Sequence, residues 1–147
     1  MKIAKAKLED LELLVPIFDA YLVFYRQTSD QDKCREFLYQ RISKDESTIF
    51  IALNENGEGM GFTQLYPTFS SVSRRKVFIL NDLYVASEYR RMGVATSLMN
   101  KAIEFGRENN CVRLHLETEK TNINAQALYE REGWQRDNEL FSYDYTL

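Results

Sequence analysis

The junction between residues 80 and 95 constrains the fold of this chain more than any other part of the sequence. An apolar run ends in a short loop that contains two arginines and a glycine, and the loop leads directly into an amphipathic helical pattern. Gly93 permits a backbone conformation and a close approach that other residues resist. Because the first amides of a helix have no partners within it, this junction predicts a phosphate or pyrophosphate site. Arg90 and Arg91 add positive charge there.

An ordinary strand–loop–helix connection with a solvated arginine pair is the alternative explanation of this junction. The chain contains neither of the commoner phosphate-binding patterns, Gly-x-x-x-x-Gly-Lys-Ser/Thr and Gly-x-Gly-x-x-Gly. A P-loop nucleotide hydrolase and a dinucleotide-binding domain are therefore both disfavoured.

Composition excludes several other classes of protein. The 147 residues, 44% apolar and 28% charged, suit a single domain with one core. With 19 basic and 22 acidic residues, the chain has no basic excess to neutralise a nucleic-acid backbone. No apolar run is long enough to span a membrane and the first residues have no signal-peptide core, so a cytoplasmic protein without a membrane partner is expected. One histidine and two cysteines argue against a metal centre or a Ser-His-Asp triad.

Hydrophobic periodicity predicts one mixed α/β domain over residues 1–147. Helices are predicted at residues 8–25, 30–43, 93–109 and 124–132. Strands are predicted at residues 2–7, 47–53, 60–66, 75–85, 112–118 and 141–145. Pro16 predicts a kink or a later start of the first helix, because proline lacks the amide that an interior position needs. The alternation of strands and helices after residue 75 predicts a partly parallel sheet centre.

Two motifs resemble those of a known family. Arg90-Arg91-Met92-Gly93-Val94-Ala95 resembles the Arg/Gln-x-x-Gly-x-Gly/Ala signature of the GNAT superfamily of acyl-CoA N-acyltransferases. Residues 122–134, Asn-Ile-Asn-Ala-Gln-Ala-Leu-Tyr-Glu-Arg-Glu-Gly-Trp, resemble its second motif, Asn-x-x-Ala-x-x-Leu-Tyr-x-x-x-Gly-Phe/Trp. The resemblance implies a mixed α/β sheet of six to seven strands, splayed between the fourth and fifth strands, with about four helices.

The resemblance further implies an acetyl-CoA-dependent N-acetyltransferase that uses acetyl-CoA as co-substrate and no metal. Amides of the signature loop would hold the pyrophosphate, and the fourth strand and Asn122 would contact the pantetheine arm. Tyr129 would protonate the departing thiolate, the alternative being a core tyrosine. The implied acetyl-CoA-binding residues are Leu83, Tyr84, Val85, Arg90, Arg91, Met92, Gly93, Val94, Ala95, Thr96, Asn122, Ala125 and Tyr129.

The proton acceptor stays open between two carboxylates and water. Residues 80–85, Leu-Asn-Asp-Leu-Tyr-Val, resemble the corresponding strand of spermidine/spermine N-acetyltransferases, whose base-like glutamate falls on Asn81. Asn81 cannot accept a proton, which leaves Asp82 to act directly or through water. A purely structural role for Asp82 is equally open, and Glu117 or ordered water are the other candidates.

Aromatic-rich segments predict the acceptor pocket. Phe24, Tyr25 and Arg26 end the first helix, and Tyr66 and Phe69 follow the third strand. Aromatic rings suit a cationic amine, and Arg26 suits a carboxylate. These segments resemble a subgroup labelled histone, polyamine and amino-acid acetyltransferases, so a small polyamine-like or amino-acid-like amine is expected to attack directly in a ternary complex. A lysine acetyltransferase of protein tails and a silent acyl-CoA-binding sensor are the alternatives. Family habit implies a homodimer or larger homo-oligomer.

Overall fold

The computed structural model describes the whole chain, residues 1–147, and divides into two compact units, Met1–Glu117 and Thr118–Leu147. The first unit contains a sheet and three helices, and the second contains one helix. The expectation of one domain over residues 1–147 stays a prediction.

The first unit has a mixed α/β architecture, as predicted. Its strands are β1 (Lys2–Lys5), β2 (Thr48–Leu53), β3 (Gly59–Ser70), β4 (Arg75–Val85) and β5 (Arg113–His115). Its helices are α1 (Leu11–Phe24), α2 (Gln31–Ser43) and α3 (Val94–Glu108), with single 3-10 turns at Leu8–Asp10 and Ser87–Tyr89.

One sheet contains all five strands in the order β1-β2-β3-β4-β5. The first four strands are antiparallel neighbours, and β5 is parallel to β4 because α3 forms the crossover between them. The expectation of six to seven strands is therefore wrong. The strand predicted at residues 112–118 contains only Arg113–His115, and residues 141–145 form no strand. Alternation of apolar and polar residues makes a segment compatible with a strand. A strand forms only where a neighbouring strand supplies backbone hydrogen bonds.

The predicted separation of the fourth and fifth strands is confirmed. β4 and β5 pair only from Val77↔Arg113 to Ile79↔His115. The remaining residues of β4, 80–85, have no partner strand on that side and pair only with β3. This half of β4 therefore has no strand neighbour along one edge.

Helices cover both faces of the sheet and bury it. Leu14 and Phe18 of α1 and Leu38 of α2 join Phe62 of β3 in one core cluster. On the other face the ring of Phe105 in α3 lies 5.5 Å from that of Phe50 and 5.0 Å from that of Phe78. Successive side chains of a strand point to opposite faces, and here both faces are covered. Residues 48–52 of β2 are therefore all buried.

The first helix begins at Leu11, three residues later than the hydrophobic pattern indicates, and Pro16 lies inside it. Pro16 is the sixth residue of this helix and lies beyond its first turn, so the later start does not remove the proline from the helix interior. The connection to α2 is held by Asp19, whose carboxylate accepts hydrogen bonds from the Ser29 hydroxyl at 2.7 Å and the Asp30 amide at 2.8 Å.

The second unit contains α4 (Ile123–Arg131), which begins after Asn122 and ends two residues before Gly133. Gly133 has a φ of 91°, the left-handed conformation that glycine adopts most readily beyond a helix end. No residue of this unit is fully buried. No helix of either unit has both the length and the apolar character needed to cross a membrane.

Candidate functional site

The loop before α3 has the geometry of an anion site. Arg91 and Gly93 both adopt left-handed conformations, with φ values of 62° and 79°. No side chain caps the helix, and the first amide bonded within it is that of Ser97, which donates to the Gly93 carbonyl at 3.0 Å. The amides of Val94 and Ala95 therefore precede the first intrahelical hydrogen bond. A helix N-terminus of this kind attracts an anion through its amides and its dipole.

The two arginines of this loop differ in their surroundings. Arg90 donates from Nε to the carbonyl oxygen of Val85 at 3.0 Å. Its guanidinium also lies over two rings, 5.6 Å from the centroid of Phe24 and 5.7 Å from that of Tyr84. Arg91 is exposed. Arg91 is therefore the better placed of the two to meet an anion, while Arg90 joins the loop to β4 and to the end of α1.

A β-bulge changes the orientation of the side chains in the middle of β4. Gln64 pairs with Asp82, but the next residue of β3, Leu65, pairs with Leu80, so Asn81 is an extra residue on β4. A bulge changes which residues face the core, because strand side chains otherwise alternate. Asp82 is only 4% exposed as a result, whereas Asn81 is exposed.

The buried Asp82 carboxylate belongs to a hydrogen-bond network. Gln64 Nε2 donates to Asp82 Oδ2 at 2.7 Å, and Gln64 Oε1 accepts from Ser47 Oγ at 2.8 Å. Asn81 Nδ2 donates to Asp82 Oδ1 at 3.1 Å, and the Tyr21 hydroxyl also donates to this carboxylate. Both Gln64 amide atoms are therefore used, which fixes the orientation in which the amide donates to Asp82.

The carboxylate and the tyrosines around it have shifted pKa values. Burial raises the pKa of Asp82, and the hydrogen bonds that it accepts act in the opposite direction without cancelling the effect. Burial and the nearby Asp82 charge raise the pKa of Tyr66 to about 12, and the same two causes raise the pKa of Tyr21. Asp82 is therefore a stronger base than an exposed aspartate, and both tyrosines keep their protons at neutral pH.

Comparison with known proteins decides the family. The model of the acetyltransferase (GNAT) family matches residues 12–134. The chain belongs to this family. It is 43% identical over 143 residues to uncharacterized N-acetyltransferase YhfO of Bacillus subtilis strain 168, an alignment that covers 97% of this chain and 95% of that protein.

Solved structures agree with this assignment. The crystal structure of "a probable acetyltransferase" matches with a TM-score of 0.96 and 42% identity, and the match covers 100% of this chain and 98% of that one. The aminoglycoside N-acetyltransferase AAC(6')-Iy in complex with CoA matches with a TM-score of 0.82, 18% identity and coverage of 99% and 95%. This more distant likeness concerns the fold alone. The chain is an N-acetyltransferase with the GNAT fold.

Four aromatic side chains of this acetyltransferase cluster where α1 ends beside β4. The ring of Tyr21 lies 5.0 Å from Tyr25 and 6.1 Å from Tyr84, and the ring of Phe24 lies 5.3 Å from Tyr25. We call these four residues the aromatic cluster. Because Tyr21 also donates to Asp82, the cluster adjoins the buried carboxylate.

The other acceptor-pocket candidates of the acetyltransferase are spread more widely. Tyr66 is partly buried and feels the charge of Asp82. Arg26 has a left-handed φ of 66° in the loop that follows α1. Phe69 is 74% exposed and pairs with Lys76, far along the β3–β4 hairpin. The structure does not bring Phe69 to the aromatic cluster.

The alternative base, Glu117, has a different environment. Its side chain is 78% exposed, and its Oε1 lies 3.7 Å from Nε2 of His115. The Glu117 carboxylate therefore lacks the burial that makes Asp82 a stronger base.

Residues of the second motif form the start and the body of α4. The Asn122 side chain accepts a hydrogen bond from the Ala125 amide at 3.2 Å and thereby caps the helix. Tyr129 is partly buried, its ring lies 6.4 Å from that of Trp134, and its carbonyl accepts from the Trp134 amide at 2.9 Å. These contacts give Asn122 a structural role beside the one that the motif implies.

No sequence motif singles out Gln64 or Ser47 as site residues, and Tyr21 is marked only by its place in the aromatic-rich segment that ends the first helix. Thr63 and Gln64 are the two polar residues in the otherwise apolar buried stretch 60–65 of β3, and polar residues in such a stretch are the one available signal. Tyr21 lies at helical spacing among apolar residues and therefore looks like ordinary core.

A cavity of about 370 Å³ lies beside the signature loop and is lined by Met1, Asn54, Glu55, Asn56, Met60 and Met92. Met92 is the only residue of the predicted site that lines it. The aromatic cluster and Asp82 lie outside this cavity.

Proposed function

We propose that this acetyltransferase transfers an acetyl group from acetyl-CoA to the primary amine of a small polyamine-like or amino-acid-like molecule, by direct attack in a ternary complex. The observation that carries the proposal is the buried Asp82 carboxylate, which is oriented by Gln64 and adjoins the aromatic cluster. A buried carboxylate with a raised pKa beside aromatic rings is suited to receive a cationic amine and to remove its proton.

The signature loop would hold the pyrophosphate of acetyl-CoA. Its left-handed residues, the unused amides at the start of α3 and the exposed Arg91 support this role. AAC(6')-Iy, a protein of the same fold, was solved in complex with CoA, which supports the binding of CoA as such. The edge of residues 83–85, which has no strand neighbour on that side, would pair with the pantetheine arm in the manner of an added strand.

The aromatic cluster would bind the acceptor amine. The guanidinium of Arg90 already lies over two of its rings, which supports the affinity of this surface for cations. Tyr21 and Tyr66 remain neutral at physiological pH and add hydroxyl groups without charge.

In the proposed reaction the amine transfers one proton to Asp82, directly or through water. The amine nitrogen then forms a bond to the acetyl carbonyl carbon, and the carbon–sulfur bond breaks with its electron pair going to sulfur. Tyr129 donates its hydroxyl proton to the thiolate. The nitrogen of the new amide loses its second proton to solvent, and Tyr129 takes up a proton from solvent to regain its hydroxyl. The products are the N-acetylated amine and CoA.

An acceptor screen tests the proposed function. Release of the CoA thiol is followed with polyamines, amino acids and lysine-containing peptides in separate reactions. We expect turnover with a small amine and little with peptides. Preferential turnover of peptides would establish the protein-lysine alternative, and CoA binding without turnover of any amine would establish the sensor.

The pyrophosphate site has its own test in a pair of glycine variants. Gly93→Glu places an acidic side chain in the loop and should abolish CoA binding measured by calorimetry. Gly57→Glu is the matched control, because Gly57 has the same φ of 79° and the same open space but lies in the β2–β3 turn. Equal CoA affinities of the two variants would contradict the proposed site.

A further inference from the structure

Arg41 has a buried hydrogen-bond donor that no other group uses. It lies in the last turn of α2, and only 21% of its side chain is exposed. Its Nε is buried and has no hydrogen-bond partner. The hydrogen bonds of this side chain are donated by Nη2, to the Gln40 amide oxygen at 3.4 Å and to Glu46 Oε1 at 3.2 Å. A buried donor without an acceptor costs free energy, so an acceptor supplied by a ligand would stabilise this arrangement.

Packing and an ion pair restrict the movement of the Arg41 guanidinium. Its central carbon lies 4.6 Å from the centroid of the Phe37 ring, and that ring stacks on Phe18 of α1 at 5.8 Å. Glu46 contacts Arg41 twice, through the ion pair to Nη2 and through its amide, which donates to the Arg41 carbonyl at 2.9 Å. A guanidinium that is already oriented in this way loses little side-chain entropy when it binds a carboxylate.

The position of Arg41 connects it to the Asp82 network. Ser47, in the connection from α2 to β2, donates to the Gln64 amide oxygen at 2.8 Å, and Gln64 donates in turn to Asp82. Tyr66 shares a sheet face with Gln64, because the two are two residues apart on β3. Burial and the Asp82 charge raise the pKa of Tyr66, and the Arg41 charge acts against them. One anion and one cation therefore act on the same tyrosine.

A pocket wall with one anion and one cation suits a zwitterionic acceptor. An amino acid has an ammonium group, which the Asp82 carboxylate attracts, and a carboxylate, to which an arginine donates charge-assisted hydrogen bonds. A polyamine has only ammonium groups, which the guanidinium repels. The charges therefore favour an amino acid over a polyamine.

We propose that Arg41 binds the carboxylate of the acceptor, and that the acceptor is an amino-acid-like molecule whose amine faces Asp82. The inference rests on the proposed function for the role of Asp82. Because Nε is covered by protein atoms, a small rotation of the guanidinium accompanies binding, and the carboxylate then supplies the acceptor that Nε lacks. Arg41 is a specificity-determining residue in this proposal, and the proton transfer stays with Asp82.

Acceptors that differ only in the carboxylate test the role of Arg41. Release of the CoA thiol is followed with glycine, β-alanine and longer unbranched amino acids, with the carboxamide of each, and with spermidine. The wild type should prefer the amino acid of the best-fitting length over its carboxamide by roughly 10- to 100-fold in kcat/KM. Arg41→Gln should lose most of this preference through a higher KM, while kcat/KM for the carboxamide changes little.

Glu46→Gln is the matched control, because it breaks the same ion pair and leaves the guanidinium in place. This variant should keep the preference for the carboxylate. If the ion pair were only structural, both variants would change the preference equally, and that result would overturn the inference. A wild type that acetylates spermidine or the carboxamides as efficiently as the amino acids would overturn it too.

Calorimetry separates this inference from the proposed function. The same amino acids and carboxamides are titrated into the wild type and Arg41→Gln in the presence of CoA. Carboxylate binding that depends on Arg41, without turnover of any amine, would contradict the proposed function and support the carboxylate site. Turnover with a carboxylate preference that Arg41→Gln leaves unchanged would contradict the site and leave the proposed function intact. Neither binding nor turnover would contradict both.

Discussion

Asp19 and Asp82 are both buried aspartates of the first unit, but their pKa values move in opposite directions. Asp19 accepts hydrogen bonds from the Ser29 hydroxyl and the Asp30 amide, which outweigh burial and lower its pKa. Burial dominates at Asp82 and raises its pKa. The difference teaches that burial alone does not mark a functional carboxylate. Asp19 is stabilised as an anion and holds a loop, whereas Asp82 retains a tendency to take up a proton.

The largest expected difference between the two aspartates is in catalysis. Asp82→Asn should lower kcat/KM for the acceptor amine by about 100-fold or more, because it removes the group that accepts the proton. Asp19→Asn should leave the activity per folded molecule close to that of the wild type. Initial rates at saturating acetyl-CoA, with CoA affinity measured alongside, check this. Equal losses of kcat/KM in the two variants would contradict a catalytic role that belongs to Asp82 alone.

For the free energy of unfolding, the larger loss is expected at Asp19. Asp19→Ala should lower the free energy of unfolding by about 2 kcal/mol, because it leaves the Ser29 hydroxyl and the Asp30 amide without an acceptor. Asp82→Asn should cost less, since it removes the burial of a charge. Urea denaturation of both variants measures the two values. A larger loss for Asp82→Asn would show that its network is chiefly structural.

A smaller effect is expected from the residue that orients Asp82. Gln64→Leu removes a hydrogen bond that lowers the pKa of Asp82, so the acid limb of kcat/KM should move to higher pH by about one unit. Ser47→Ala removes only the partner of the Gln64 amide oxygen and should move the limb less. The pH–rate profile with one acceptor amine compares the three proteins. An unmoved limb in Gln64→Leu would exclude Asp82 as the titrating base.

The smallest effect is on the pH dependence of stability. The contributions of the two aspartates to the free energy of unfolding change with pH in opposite directions. Between the ordinary aspartate pKa and the raised value, folded Asp82 binds more protons than the unfolded chain, so its contribution to stability falls as pH rises. Between the lowered value and the ordinary one, the unfolded chain binds more protons at Asp19, so that contribution is lost as pH falls. Unfolding free energies of wild type, Asp82→Asn and Asp19→Asn across the acid range separate the two slopes. Parallel slopes would contradict the assigned pKa directions.

Much of the fold follows from local patterns. The apolar spacing of residues 93–109 predicts α3, and the glycine-containing clusters predict the β2–β3 turn and the stop of α4 before Gly133. These elements are predictable because turns and helix ends depend on the conformational preferences of a few neighbouring residues. The strand predicted at residues 141–145 has an equally clear pattern and does not form, because a strand also needs a partner that its own sequence does not contain.

The candidate site is predictable in part for the same reason. The signature loop and its left-handed Gly93 follow from a contiguous motif, and Asp82 is recognisable as the carboxylate beside Asn81. Tyr21 and Gln64, which hydrogen-bond to Asp82, are far from it in sequence and come from α1 and β3. No local pattern indicates that three elements deliver side chains to one carboxylate.

The sequence by itself determined the family, the mixed α/β fold and the position of the loop before α3, because each depends on short motifs and on hydrophobic periodicity. Only the tertiary structure decided the environment of Asp82. The extra residue at Asn81 shifts the β3–β4 register, and the shift turns Asp82 into the interior toward Gln64 and Tyr21. A carboxylate becomes a strong base through the removal of water and the placement of distant donors, and both arise only when the chain is folded.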